Sequence, residues 1–253
     1  MTSRLRAVAR LVTILLLAGL PAAAQTPRRQ VPADQLPGIG TNDPRQAADT
    51  RQAPWRSVGR VQTDLGGRCT GVLIAMNRVL TAAHCLVSPR TQQFVQPGSV
   101  HFLLGYDRGT FTGVSRVAGF LVGQGYQPGA GPVGADWAVL ALANPVGSPE
   151  RVLPLLRDAP PPRTPVMLGG YQQDRPEVLM ADTACRLIGQ FRDPSGRSVL
   201  AHDCAGTRGA SGSPLLARSP DGSRWGVIGV LSAVNPDLTL GYAVPAGAVG
   251  TLQ

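Results

Sequence analysis

The sequence contains no lysine: all 24 basic side chains are arginine, set against 15 acids for a formal net charge of +9. These arginines stand singly between acids, without the runs or interleaved aromatics that track a nucleic-acid backbone, so nucleic acid is not an expected partner. Long apolar runs are missing too. The run at residues 11–20 has ten members, about half of what a membrane span needs, and no later stretch is long enough, so stable membrane insertion is not expected. The four cysteines include no C-x-x-C pair and no cysteine follows residue 24 closely. A zinc site and a lipid attachment point are both unsupported, and neither a metal nor an organic cofactor is expected.

What is abundant is turn chemistry: 31 Gly and 23 Pro, about a fifth of the 253 residues, favour a turn-rich all-β architecture. The length suits one globular unit or two small ones. Arg4, Arg6 and Arg10, the apolar run after them and Ala22-Ala23-Ala24 form a secretory signal, so residues 1–24 are expected to be cleaved after Ala24 and the rest exported, secreted or periplasmic. Removing them lowers the net charge from +9 to +6. In an exported chain four cysteines suggest two disulfides, with three possible connectivities. The local pairs, Cys69 with Cys85 and Cys185 with Cys204, are the simplest, each stabilising by about 3 kcal/mol through restriction of the unfolded chain.

Residues 25–53 are polar and interrupted by Pro27, Pro32, Pro37 and Pro44, which reads as a propeptide or flexible arm. From Trp55 the texture changes to short apolar or alternating runs: 57–62, 69–75, 79–83, 100–106, 114–122 and 137–142. A Pro-rich link with Pro160-Pro161-Pro162 follows, and then a second series at 165–171, 177–191, 198–204, 213–217, 225–234 and 240–244. Two β units of about six strands, at about 54–147 and about 163–250 of a domain at 54–253, are expected.

Three segments set a reactive side chain where chemistry needs it. In Val79-Leu80-Thr81-Ala82-Ala83-His84-Cys85 an apolar strand ends at a histidine beside a crosslinkable cysteine, which would fix the imidazole. In Asp136-Trp137-Ala138-Val139-Leu140 a carboxylate leads an apolar strand, shielded yet able to accept from a ring nitrogen. In Gly209-Ala210-Ser211-Gly212-Ser213-Pro214 glycines bracket a serine, so a tight turn can present its hydroxyl and aim amide N–H groups at one point. Taken singly, a packed core histidine and a turn-initiating aspartate are the commoner sources of the first two segments, and plain Gly/Ser loops are common as well.

Together they resemble the trypsin-like, chymotrypsin-fold serine endopeptidases, in motif and in the chain order His, Asp, Ser, over residues 55–249. The closer likeness is to the bacterial branch that includes glutamyl endopeptidases, through Cys69-Thr70-Gly71 and Ser211-Gly212-Ser213-Pro214. The resemblance implies two six-stranded antiparallel β-barrels with the active site in the cleft between them. It makes Ser211 the nucleophile, His84 the general base, Asp136 the orienting carboxylate, and the N–H groups of Gly209 and Ser211 the oxyanion hole. It supports the Cys69–Cys85 pair and puts Ala205, Gly206, Arg208, Ser232 and Val234 around the substrate. A polypeptide is then the substrate, hydrolysed by a monomer. A non-catalytic or latent relative that binds extended peptides is the alternative.

Two departures matter. The digestive enzymes carry an aspartate before the nucleophile, which pairs with a newly freed terminal amine; here Ala210 stands there and no Ile-Val-Gly-Gly start precedes it, so that activation route is not expected. Ala205 replaces the acid of trypsins, and Leu231 stands before Ser232 where glutamyl endopeptidases have a histidine. Preference for a small or medium apolar residue at the cleavage point is therefore expected, with Thr207 and Arg208 the only nearby groups suited to an acidic one.

Overall fold

The computed structural model describes residues 36–39 and 42–250. The signal segment at 1–24 and the beginning of the 25–53 segment lie outside the described residues. Strands and single 3-10 turns make up the architecture, with no α-helix among the described residues.

The first barrel closes in the order β2-β3-β4-β7-β6-β5, from β2 (Val58–Thr63), β3 (Arg68–Ala75), β4 (Arg78–Thr81), β5 (Val100–Leu104), β6 (Gly113–Val122) and β7 (Ala138–Leu142). The second comprises β8 (Pro165–Gln172), β9 (Arg175–Arg192), β10 (Ser198–His202), β11 (Pro214–Arg218), β12 (Trp225–Asn235) and β13 (Leu240–Pro245). These run β9-β10-β13-β12-β11-β8 and close through β8–β9; every pairing is antiparallel. The chain is thus an all-β protein of two six-stranded antiparallel barrels.

The periodicity explains the strands. Along β9, Cys185, Leu187 and Gly189 point inward while Arg186, Ile188 and Gln190 face outward, the period-2 alternation of a sheet with one solvated face. Leu73, Val79, Phe102, Leu104 and Leu140 fill the first barrel and Leu168, Leu187, Leu200, Leu215 and Ile228 the second, each contributing about 2 kcal/mol by burial. An apolar seam joins the barrels, with Val72, Leu80 and Trp137 on one side and Met167, Tyr171 and Val230 on the other. Disulfides join Cys69 to Cys85 and Cys185 to Cys204, one within each barrel.

Where it is described, the 25–53 segment is packed. Residues Gln46–Ala47 form a further short strand, β1, on Ala181 and Met180 of β9. Leu36 and Ile39 bury against Ala205, and Arg45 is inaccessible. Sequence periodicity missed β1 because two residues are too few to show a period.

Candidate active site

His84 follows the end of β4 in the 3-10 turn Ala83–Leu86, and the Cys69–Cys85 disulfide ties the next residue back to β3. Both sulfurs of the local Cys69, His84 and Cys85 cluster are therefore bonded to each other. Asp136 follows the 3-10 turn Val133–Ala135, one residue ahead of Trp137 and β7. Its carboxylate receives three hydrogen bonds: Oδ1 accepts the His84 backbone N–H at 2.9 Å, and Oδ2 accepts the ring at Nδ1 at 2.7 Å and the Ser232 hydroxyl at 2.5 Å. Two contacts from one residue fix both the position of His84 and its rotation. With Asp136 ionised, Nδ1 carries the proton and Nε2 keeps the lone pair of a general base. The Asp136 side chain is 7% exposed and that of His84 is 37% exposed, so a shielded carboxylate backs an imidazole that reaches solvent.

Ser211 sits in the turn before β11, stitched to both barrels. The Thr70 N–H of β3 donates to Ser211 O at 2.9 Å, and the Gly212 N–H donates to Leu231 O at 2.8 Å, one residue from Ser232. Gly212 has φ +80°, and a Cβ there would lie 2.2 Å from Thr70 O and from Thr81 Oγ1. Only glycine permits this approach, which brings the serine turn against the end of β4 from which His84 projects. Ser211, His84 and Asp136 thus gather where the two barrels meet.

The turn also leaves two donors unclaimed. The N–H groups of Gly209 and Ser211 have no protein acceptor among the described residues. Arg208 C=O accepts from the Gln173 N–H at 2.7 Å, and because the peptide unit is planar and trans, the Gly209 N–H points the opposite way. Such a pair of backbone donors beside a serine can stabilise a developing oxyanion.

Of the residues expected around the substrate, Ala205 and Gly206 are buried, Arg208 is exposed, and Gly38 lies between Gly206 and Val234. The Gly206 N–H donates to Gly38 O at 3.0 Å. Ser232 does more than line the cleft, since its hydroxyl is on Asp136. Beside His84 opens a groove of about 420 Å³ whose lining includes Val87, Pro89, Tyr126, Val133 and Ala233. Thr207 is turned to Gln173, whose Nε2 donates to its hydroxyl at 3.2 Å.

Sequence reasoning missed two side chains that build the site. Thr70, fully buried, donates to Gly209 O at 3.1 Å while its Oγ1 accepts the Tyr171 N–H at 2.9 Å, so one hydroxyl joins β3, β8 and the serine turn. Replacing it by valine keeps the shape but strands the Tyr171 N–H, and a stability loss of about 2 kcal/mol is expected. Denaturant titration of Thr70→Val and Thr70→Ser checks this: the valine variant alone should show the lower midpoint. The other is Arg45, whose guanidinium is fully buried between Asp43 and Asp174. Burial works against its charge, but its hydrogen bonds to both carboxylates and their negative charge outweigh this and its pKa is raised. Arg45 lies in no local motif, and Thr70, although part of Cys69-Thr70-Gly71, shows nothing there of its partners, so only the fold reveals the two roles.

Comparison with known proteins agrees with this fold. The trypsin family model matches residues 44–246. Trypsin zeta of Drosophila erecta is 25% identical over 233 residues, covering 82% of this chain and 81% of that protein. A solved structure of a Glu endopeptidase in complex with MPD superposes with a TM-score of 0.69 at 22% identity, covering 82% of this chain and 93% of that one.

Proposed function

The chain belongs to the trypsin family of serine endopeptidases, and from that premise we propose that it is an exported enzyme that hydrolyses peptide bonds through an acyl-enzyme on Ser211. His84 Nε2 takes the hydroxyl proton as Ser211 Oγ attacks the scissile carbonyl, and returns it to the leaving amine; Asp136 stabilises the imidazolium between the two steps. Gly209 and Ser211 N–H hold the oxyanion, and a water activated by His84 then releases the acyl group. The observation that carries this reading is the orientation of His84 by two hydrogen bonds to one shielded carboxylate. Residues 1–24 act as the export leader, and the two disulfides suit an oxidising compartment outside the cytosol.

Intact-mass measurement of the purified protein before and after a fluorophosphonate probe tests the reading. One adduct per chain, absent in Ser211→Ala, is expected. An unlabelled protein with both disulfides formed would instead mean a latent form or a peptide-binding relative. The preference at the cleavage point is for small or medium apolar residues. Ala205, Gly206 and Val234 supply apolar walls, and the intrusion of Gly38 between the last two shortens the space. Cleavage of a peptide library mainly after glutamate or aspartate would overturn that preference.

A further inference from the structure

The serine turn is gripped from outside the active site by the segment that precedes the first barrel. The Arg45 guanidinium has five N–H donors and uses all of them. Nε and Nη2 donate to Asp43 at 2.8 and 2.9 Å, Nη1 and Nη2 to Asp174 at 3.2 and 2.8 Å, and Nη1 to Gln172 Oε1 at 2.6 Å. That same Gln172 oxygen accepts the Thr207 N–H at 2.9 Å. The adjacent Gln173 takes the next carbonyl, Arg208 C=O, the one whose direction sets the Gly209 N–H. The β8–β9 corner thus holds two consecutive residues of the turn, and Arg45 holds the corner. The segment grips the turn a second time through Gly38 O on the Gly206 N–H.

We propose that Arg45 is a positioning residue that, through Gln172, fixes the Thr207 to Gly209 turn in the orientation that an oxyanion hole requires. Its effect on rate rests on the proteolytic function proposed above; its hold on the turn does not. The placement gives the arm a second meaning. With Ala210 before the nucleophile, the turn offers no carboxylate to a freed terminal amine, whereas Arg45 brings a permanent cation that exists before any cleavage and needs no particular new terminus. Gln172 suits the role of relay. Its side chain is 1% exposed, and its Oε1 serves donors from both the arm and the turn, so displacement of the guanidinium leaves that oxygen and the Thr207 N–H free to shift together.

The test compares wild type with Arg45→Lys, Arg45→Met and the combined Asp43→Asn, Arg45→Met, Asp174→Asn variant. The combined variant leaves no lone buried charge and keeps the question answerable if Arg45→Met fails to fold. Activity is expressed per fluorophosphonate-labelled site, which removes any misfolded fraction. Amide exchange is followed in residues 205–213, with residues 138–142 as reference. In the combined variant kcat per labelled site should fall by about ten- to a hundred-fold with KM changed less than about three-fold, and exchange should rise in 205–213 alone. Arg45→Lys should recover part of both. A variant whose melting temperature falls while kcat per labelled site and exchange at 205–213 stay at wild-type values overturns the proposal. If wild type neither labels nor hydrolyses yet exchange at 205–213 still rises on losing Arg45, the proteolytic reading fails and the hold on the turn stands.

Discussion

Replacing Ser211 with alanine is expected to lower kcat by about a million-fold, replacing His84 with alanine to lower it as far, and replacing both to lower it hardly further. In the proposed mechanism the losses coincide because the two side chains perform one event: without the imidazole the hydroxyl keeps its proton, and without the hydroxyl the imidazole has nothing to deprotonate. What remains comes from groups that substitution does not reach, the N–H donors of Gly209 and Ser211. Asp136→Asn should cost less, about ten-thousand-fold. Its amide would offer an N–H to His84 Nδ1, favouring the ring tautomer whose proton sits on Nε2, where the lone pair is needed. Single-turnover hydrolysis of an activated peptide ester, normalised to correctly folded protein, measures all four variants. Losses that multiply in the double variant would mean that Ser211 and His84 act separately and would contradict the assignment.

The second large effect concerns stability in acid. His202 on β10 is completely buried, and burial lowers its pKa from 6.5 to about 4. Its ring lies against Gly241 of β13, where a Cβ would come within 2.1 Å of Cε1; Nδ1 accepts the Cys204 N–H at 3.2 Å, and Nε2 has no partner among the described residues. Neither nitrogen has an acceptor for a second proton. The folded state therefore keeps the ring neutral while the unfolded chain binds a proton near pH 6.5, and the unfolded state holds more protons between the two values. Stability from this group is complete above pH 6.5 and is lost as pH falls toward 4, by about 3 kcal/mol in total. Urea unfolding at pH 7.5, 5.5 and 4.5 should show that slope in wild type and its absence in His202→Phe. The variant pays a separate, pH-independent penalty because the Cys204 N–H loses its acceptor. Equal slopes in the two proteins, or a ring that titrates near pH 6.5 in the folded state, would contradict the assignment.

How far the sequence spoke depended on how local the determinant was. The twelve barrel strands were legible because each carries its own signal, an alternation as along Cys185, Leu187 and Gly189 or a short apolar run as in β4. His84, Asp136 and Ser211 were legible because each lies in a compact motif. Thr70, Gln172 and Arg45 were not, since the partners that define their roles lie 101 residues away for Thr70 and Tyr171, 127 for Arg45 and Gln172, and 35 for Gln172 and Thr207, and only the folded chain brings them together. Ser232 was found but given half its role: sequence places it on the cleft wall, and the direction of its hydroxyl, toward Asp136, emerges only from the seam.

Both disulfides close short loops, spanning 16 and 19 residues, and neither crosses from one barrel to the other. Between the barrels the covalent path is the proline-rich link, exposed at residues 161–163. A single backbone cut there would leave two fragments, each with its own crosslink and its own closed sheet. The first would contribute His84 and Asp136, the second Ser211 and Ser232, and neither alone would hold a complete site. The first fragment would also carry the arm, whose β1 pairs with β9 and whose Arg45 reaches Asp174 on the second. This makes the molecule a natural candidate for fragment complementation, in which recovered hydrolysis reports the joining of two separately expressed halves.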